Sequence, residues 1–193
     1  VGDLHQPDMI ILPGTKSTIA DLKWLRQCGL EAAIHKAADA GTLVFGVCGG
    51  YQMLGRTVSD PEQVEAAGTT EILGMGLLEM DTIFLGEKVQ AQTTGVFAGI
   101  SGVLSDLNGM SYSGYEIHMG RSEEEMPALA GTGNVYGSYV HGVFDASGIS
   151  DTILKALCVR KGIDFDALET FDISEYKEHQ YDLLADAVRS GLD

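Results

Sequence analysis

The sequence predicts an α/β fold of three layers, α/β/α, built around a largely parallel central sheet. Three observations carry this. Short apolar, β-branched runs at residues 8–12 and 42–47 read as buried strands. The segments between and after them have helical spacing, giving the order strand, helix, helix, strand, turn, helix. The residues with chemical potential fall just after strand ends, where open α/β sheets gather their sites.

Each element has a local reason. Asp8-Met9-Ile10-Ile11-Leu12 is stopped by Pro13-Gly14. Ser17 offers an N-cap for a helix running through Leu25, and a second helix spans 31–40 before Gly41. The strand at 42–47 runs into Cys48. Residues 60–68 are polar and turn-like, and partial alternation over 73–97 predicts one or two antiparallel strands. Residues 99–120 are rich in Gly and Ser and predict loops around a site. The acidic stretch 123–125 with Pro127 predicts a surface turn. Residues 134–141 predict a strand ending in His141, and 149–160 and 176–189 predict amphipathic helices. With 193 residues and no internal repeat or linker, a single domain over 1–193 is expected. A strand within ten residues of Val1 suggests that the N-terminal part of the fold is truncated and that the chain is a fragment of something larger.

Composition excludes several classes. Lys and Arg number 12 against 28 Asp and Glu, a formal charge of −16. Such a chain repels phosphate backbones and anionic lipid, so neither nucleic acid nor membrane is an expected partner. Cys28, Cys48 and Cys158 are widely spaced and include no Cys-x-x-Cys pair. That pattern argues against a disulfide framework or a thiolate metal site, and it fits a cytoplasmic location.

Cys48 carries the most chemistry. It ends a buried strand and precedes Gly49-Gly50-Tyr51-Gln52-Met53-Leu54-Gly55, which can open a helix. Small residues at 46 and 50 permit a sharp strand-to-helix turn, the nucleophile elbow, with sulfur in place of a hydroxyl. The bland alternative is a buried cysteine in a glycine-rich turn. His141 weighs against it: a cysteine nucleophile needs a base, and imidazole titrates in the useful range. Leu12-Pro13-Gly14-Thr15 adds a loop whose Gly14 N–H could join that of Gly49 in holding an oxyanion.

Together these blocks resemble class I glutamine amidotransferases. Leu12-Pro13-Gly14-Thr15-Lys16-Ser17-Thr18, Gly46-Val47-Cys48-Gly49-Gly50-Tyr51-Gln52, Gly114-Tyr115-Glu116-Ile117-His118-Met119-Gly120-Arg121 and Tyr139-Val140-His141-Gly142-Val143-Phe144-Asp145 narrow the resemblance to the C-terminal glutaminase domains of cobyric acid synthases. The resemblance implies a flavodoxin-like fold and hydrolysis of glutamine through a Cys48 thioester, with His141 as acid and base and Gly14 and Gly49 as the oxyanion hole. It implies substrate contacts from Gln52 and Arg121. The ammonia would pass to an N-terminal ATP-dependent synthetase domain, which amidates side-chain carboxylates b, d, e and g of adenosylcobyrinic acid a,c-diamide in cobalamin biosynthesis. No cofactor is expected in this domain; ATP and Mg2+ belong to the synthetase domain, which would also hold most of the corrinoid. The other readings are a glutaminase that amidates lipid II and a non-catalytic scaffold of the same fold.

Two departures stand out. Many class I enzymes place a Glu two residues after the catalytic His, where this chain has Val143. Glu116 and Asp145 are the candidate substitutes for orienting His141, and His118 reads as structural. There is also no Gly-x-x-x-x-Gly-Lys-[Ser/Thr] phosphate loop.

Overall fold

A computed structural model describes residues 5–65, 68, 70–122, 126–168 and 173–191. It divides into two compact units, Val1–Val143 and Phe144–Asp193. The first unit carries eight strands, β1 (Met9–Leu12), β2 (Leu43–Val47), β3 (Thr57–Ser59), β4 (Glu71–Leu73), β5 (Asp81–Val96), β6 (Ser111–Ser122), β7 (Ala130–Thr132) and β8 (Val135–Ser138). Its helices are α1 (Thr18–Gln27), α2 (Leu30–Asp39) and α3 (Gly49–Leu54).

The strands form two sheets, in the orders β1-β2-β8-β7 and β4-β3-β5-β6. In the first, β1 and β8 flank β2 in parallel, while β7 pairs antiparallel with β8. Leu43, Val44 and Phe45 of β2 are almost wholly buried. A strand covered on both faces needs such an unbroken apolar run, which is why the run was legible as a strand. Helix α1 buries Ile19 and Leu22, and α2 buries Ile34 and Ala38, at the three- and four-residue spacing of a helix face. These side chains join Leu12, Tyr51, Leu54, Met80 and Tyr139 in the core.

Helix α1 starts where Ser17 predicted, but the Ser17 side chain makes no cap bond. The Ile19 N–H donates instead to Glu65 Oε2 at 3.0 Å. A carboxylate from a distant turn thus meets the positive end of the helix.

The second sheet departs from expectation. Loops are expected over 99–120, but from residue 111 onward this stretch belongs to β6, a twelve-residue partner of β5. Gly and Ser have low strand propensity, but propensity yields to ladder pairing. Pairing runs from Thr82↔Ser122 to Val96↔Ser111, with an irregularity between Phe84 and Val89. Phe84 packs with Ile19 and Val58, while much of the other face is polar and exposed, which hides the period in the sequence. The expected antiparallel strand over 73–97 is present as β5, starting at Asp81. The short strands β3 and β7 had no sequence signal strong enough to read. The acidic turn at 123–125 lies outside the described residues.

In the second unit, α4 (Ile149–Lys161) runs between Gly148 and Gly162, whose φ values of 79° and 68° suit glycine at both ends. Helix α5 (Ile173–Gly191) leaves Tyr176, Tyr181, Leu184 and Val188 at least half exposed. No helix among the described residues is long and apolar enough to cross a membrane.

The close approach of α3 to β1 and β2 tests the elbow. A Cβ at Gly46 would come 2.6 Å from the Tyr51 backbone nitrogen, and one at Gly50 would press into the Leu12 carbonyl. Because both obstacles are backbone, Gly50→Ala is expected to lose about 3 kcal/mol of stability or more. Chemical denaturation measures this, and an unchanged midpoint would contradict the packing.

Candidate active site

The elbow is as sharp as its sequence implied. Cys48 adopts φ 50° and ψ −110°, a conformation that side chains rarely hold unless the surroundings enforce it. Its N–H donates to Ser138 O at 2.8 Å, tying the elbow to β8, and Gln52 N–H donates back to Cys48 O at 2.9 Å. The side chain is 6 % exposed. Its thiol lies 3.7 Å from the Ile117 carbonyl of β6.

His141 follows β8 and is held by β6. Its N–H donates to Tyr115 O at 2.8 Å and its carbonyl accepts from Tyr115 N–H at 3.1 Å. The two rings stack nearly parallel, with centroids 5.1 Å apart and planes 8° apart. His141 Nε2 is buried and makes no hydrogen bond within the described protein.

Gly14 lies between the nucleophile and the imidazole. A Cβ at Gly14 would sit 2.9 Å from His141 Cε1 and 3.5 Å from Cys48 Cβ. The Pro13-Gly14 loop, the elbow and the end of β8 therefore converge, as parallel strands with a common carboxyl edge require. They border a cavity of about 590 Å³ that Thr18, Gln52, Glu65, Ile117 and His118 also line. Gln52 is 2 % exposed; its Oε1 accepts from Thr18 Oγ1 at 3.2 Å, while Nε2 is buried and unpartnered. The Gly49 backbone favours the thiolate.

Burial dominates the electrostatics. It pushes the Cys48 thiol up from its ordinary value, against the Gly49 N–H, and the Glu65 and Glu116 carboxylates push the same way. Burial holds His141 below the ordinary imidazole value, and nearby His118 adds to the effect. Burial thus favours the neutral forms of both the thiol and the imidazole.

Of the two candidate orienters, Glu116 meets a different histidine of the first unit. Glu116 Oε2 faces His118 Nε2 at 3.4 Å, while His118 Nδ1 meets Gly120 O at 2.7 Å. Asp145 belongs to the second unit and takes the Lys177 ammonium at 2.7 Å. The Tyr115 ring stacks on the imidazole, and the paired backbone bonds hold the chain at His141. Arg121 lies on β6, paired with Ile83, and its side chain is outside what the structure describes. Sequence reading missed Tyr115, Glu65, Lys16 and Lys88 as site residues. Tyr115 and Lys16 fell inside quoted blocks, but Glu65 and Lys88 had no signal beyond their charge.

The fold is that of solved glutamine amidotransferases. A solved glutamine amidotransferase superposes with TM-score 0.51 at 17% identity, covering 83% of this chain and 82% of its own. PurLQS from Thermotoga maritima gives TM-score 0.51 at 19% identity, covering 80% and 82%. Residues 2–149 match the CobB/CobQ-like glutamine amidotransferase domain, and the chain belongs to that family. It is 50% identical to a cobyric acid synthase of Lachnoclostridium phytofermentans, over 100% of this chain and 42% of that protein. It is 45% identical to one of Ruminiclostridium cellulolyticum, over 99% and 40%. The chain therefore spans well under half the length of these relatives.

Both titrations are measurable. The pH dependence of Cys48 alkylation by iodoacetamide is expected to have its midpoint above the ordinary thiol value of 9.0. The His141 ring, followed by NMR, should titrate below 6.5. A Cys48 midpoint below 9.0 would mean that the elbow outweighs burial.

Proposed function

We propose that this chain is the glutaminase portion of a cobyric acid synthase. The observation that carries the reading is the convergence of Cys48, His141 and Gly14 on one cavity walled by the buried, unpartnered amide nitrogen of Gln52. A primary amide is the substrate such a wall suits, since it offers polar atoms to buried groups that lack them.

In this mechanism His141 takes the Cys48 thiol proton as the sulfur attacks the side-chain amide carbon of glutamine. The Gly14 and Gly49 N–H groups hold the oxyanion, each contributing on the order of 3 kcal/mol. The intermediate collapses with the C–N bond breaking, and His141 returns the proton to the departing ammonia. Water then adds to the thioester while His141 accepts its proton, and that proton goes to sulfur as glutamate leaves. Gln52 and Arg121 bind glutamine, the latter pairing with its α-carboxylate as a guanidinium fork can.

The relatives' additional length supports a fused partner. The ammonia would reach an ATP- and Mg2+-dependent synthetase region there, for amidation of the corrinoid carboxylates b, d, e and g. This chain has no phosphate-loop motif of its own. The whole pathway runs in the cytoplasm on this reading.

In the full-length protein, Cys48→Ala is expected to cut glutamine-dependent amidation about a thousandfold or more while sparing ammonia-dependent amidation. Equal loss of both activities would overturn the assignment. His141→Ala should slow glutamine hydrolysis by roughly a hundredfold or more in a steady-state ammonia-release assay.

A further inference from the structure

Glu65 is the one carboxylate among the described residues that line the Cys48 cavity, where Lys16, Lys88, His118 and His141 supply the other titratable groups besides the thiol. Its place is built rather than incidental. Asp60 is fully buried, and its two carboxylate oxygens accept the N–H groups of Val64 at 2.7 Å and Glu65 at 3.0 Å. This closes the 60–65 turn. Glu65 Oε2 in turn accepts the Ile19 N–H at the start of α1. Both the backbone and the side chain of Glu65 are therefore held in position beside the nucleophile.

A free amino-acid amide brings an α-ammonium as well as an α-carboxylate. The cavity offers cations for the second and a single carboxylate for the first, and a charge-assisted ammonium–carboxylate contact is the strongest such a wall can make. We propose that Glu65 receives the α-ammonium of the bound amino-acid amide and that this contact makes activation of Cys48 depend on the ammonium being present. The inference rests on the glutaminase reading above.

The electrostatics give the second half of the proposal its physical basis. In the empty site the Glu65 charge opposes ionisation of Cys48, after burial, together with Glu116. An ammonium seated on Glu65 cancels that opposition, so the thiol yields its proton to His141 more readily with a true α-amino acid bound. An amide without the ammonium would fill the cavity yet leave Glu65 opposing the thiolate.

The test uses full-length protein and three Cys48 reagents: the chloroketone analogue of L-glutamine, its des-amino counterpart and iodoacetamide. In each, sulfur displaces halide, so labelling needs no turnover. Wild type should prefer the amino chloroketone. Glu65→Gln should slow that reagent about tenfold or more, and leave both the des-amino reagent and iodoacetamide unchanged or faster. Glu65→Asp, which keeps the charge, should retain part of the preference. Equal slowing of all three reagents in Glu65→Gln would assign Glu65 only to propping α1 and overturn the proposal. So would a preference that survives Glu65→Gln, or no preference in wild type. Failure of both chloroketones on wild type whose Cys48 reacts with iodoacetamide would instead overturn the glutaminase reading and this proposal with it.

Discussion

The parallel pairing of β2 with β8 is the constraint on which the site depends. Val47 lies opposite Ser138, and the hydrogen bond from Cys48 N–H to Ser138 O continues the ladder one residue past the strand. That bond sets where the elbow turns and brings the chain leading to His141 alongside it. Neither the Cys48 thiol nor the His141 ring could reach the other by local structure, because the segments carrying them are far apart in sequence. A shift of one residue in register would turn the alternate face of β8 toward the core. Ser138 resists such a shift: its hydroxyl donates to Ala128 O and accepts from Val140 N–H.

Burial has a consequence for the electrostatics. It disfavours the charged forms of both the Cys48 thiol and the His141 imidazole. Among the described residues the His141 ring lies against a tyrosine face, and two backbone bonds hold the chain that carries it. The glutamate–histidine pair nearby is spent on His118, which stacks on Tyr139 with centroids 4.1 Å apart.

Much of the first sheet was legible because its signals are local. The β2 run is apolar since both faces are covered, and the elbow shows in sequence because Gly46 and Gly50 must admit other backbone. Pro13-Gly14 was readable as a strand end, but the strand expected over 134–141 stops at Ser138, and His141 follows in an isolated bridge to Tyr115. The placement of His141 was not readable, since it comes from Tyr115, which the β5–β6 ladder delivers from another sheet. Strand β6 itself was hidden by glycine and serine. Glu65 was hidden by distance: a charge in a polar turn looks solvated until α1 is seen to meet it.

The second sheet draws all its strands from residues 57–122, entirely within the excursion between β2 and β8. It can therefore zip up before the longer closure occurs. Once formed, it takes up most of the slack, and a shorter free loop costs less entropy to close. The buried, strained setting of Cys48 therefore belongs to the closed first sheet, because its N–H is tied to Ser138 O across the β2–β8 pairing.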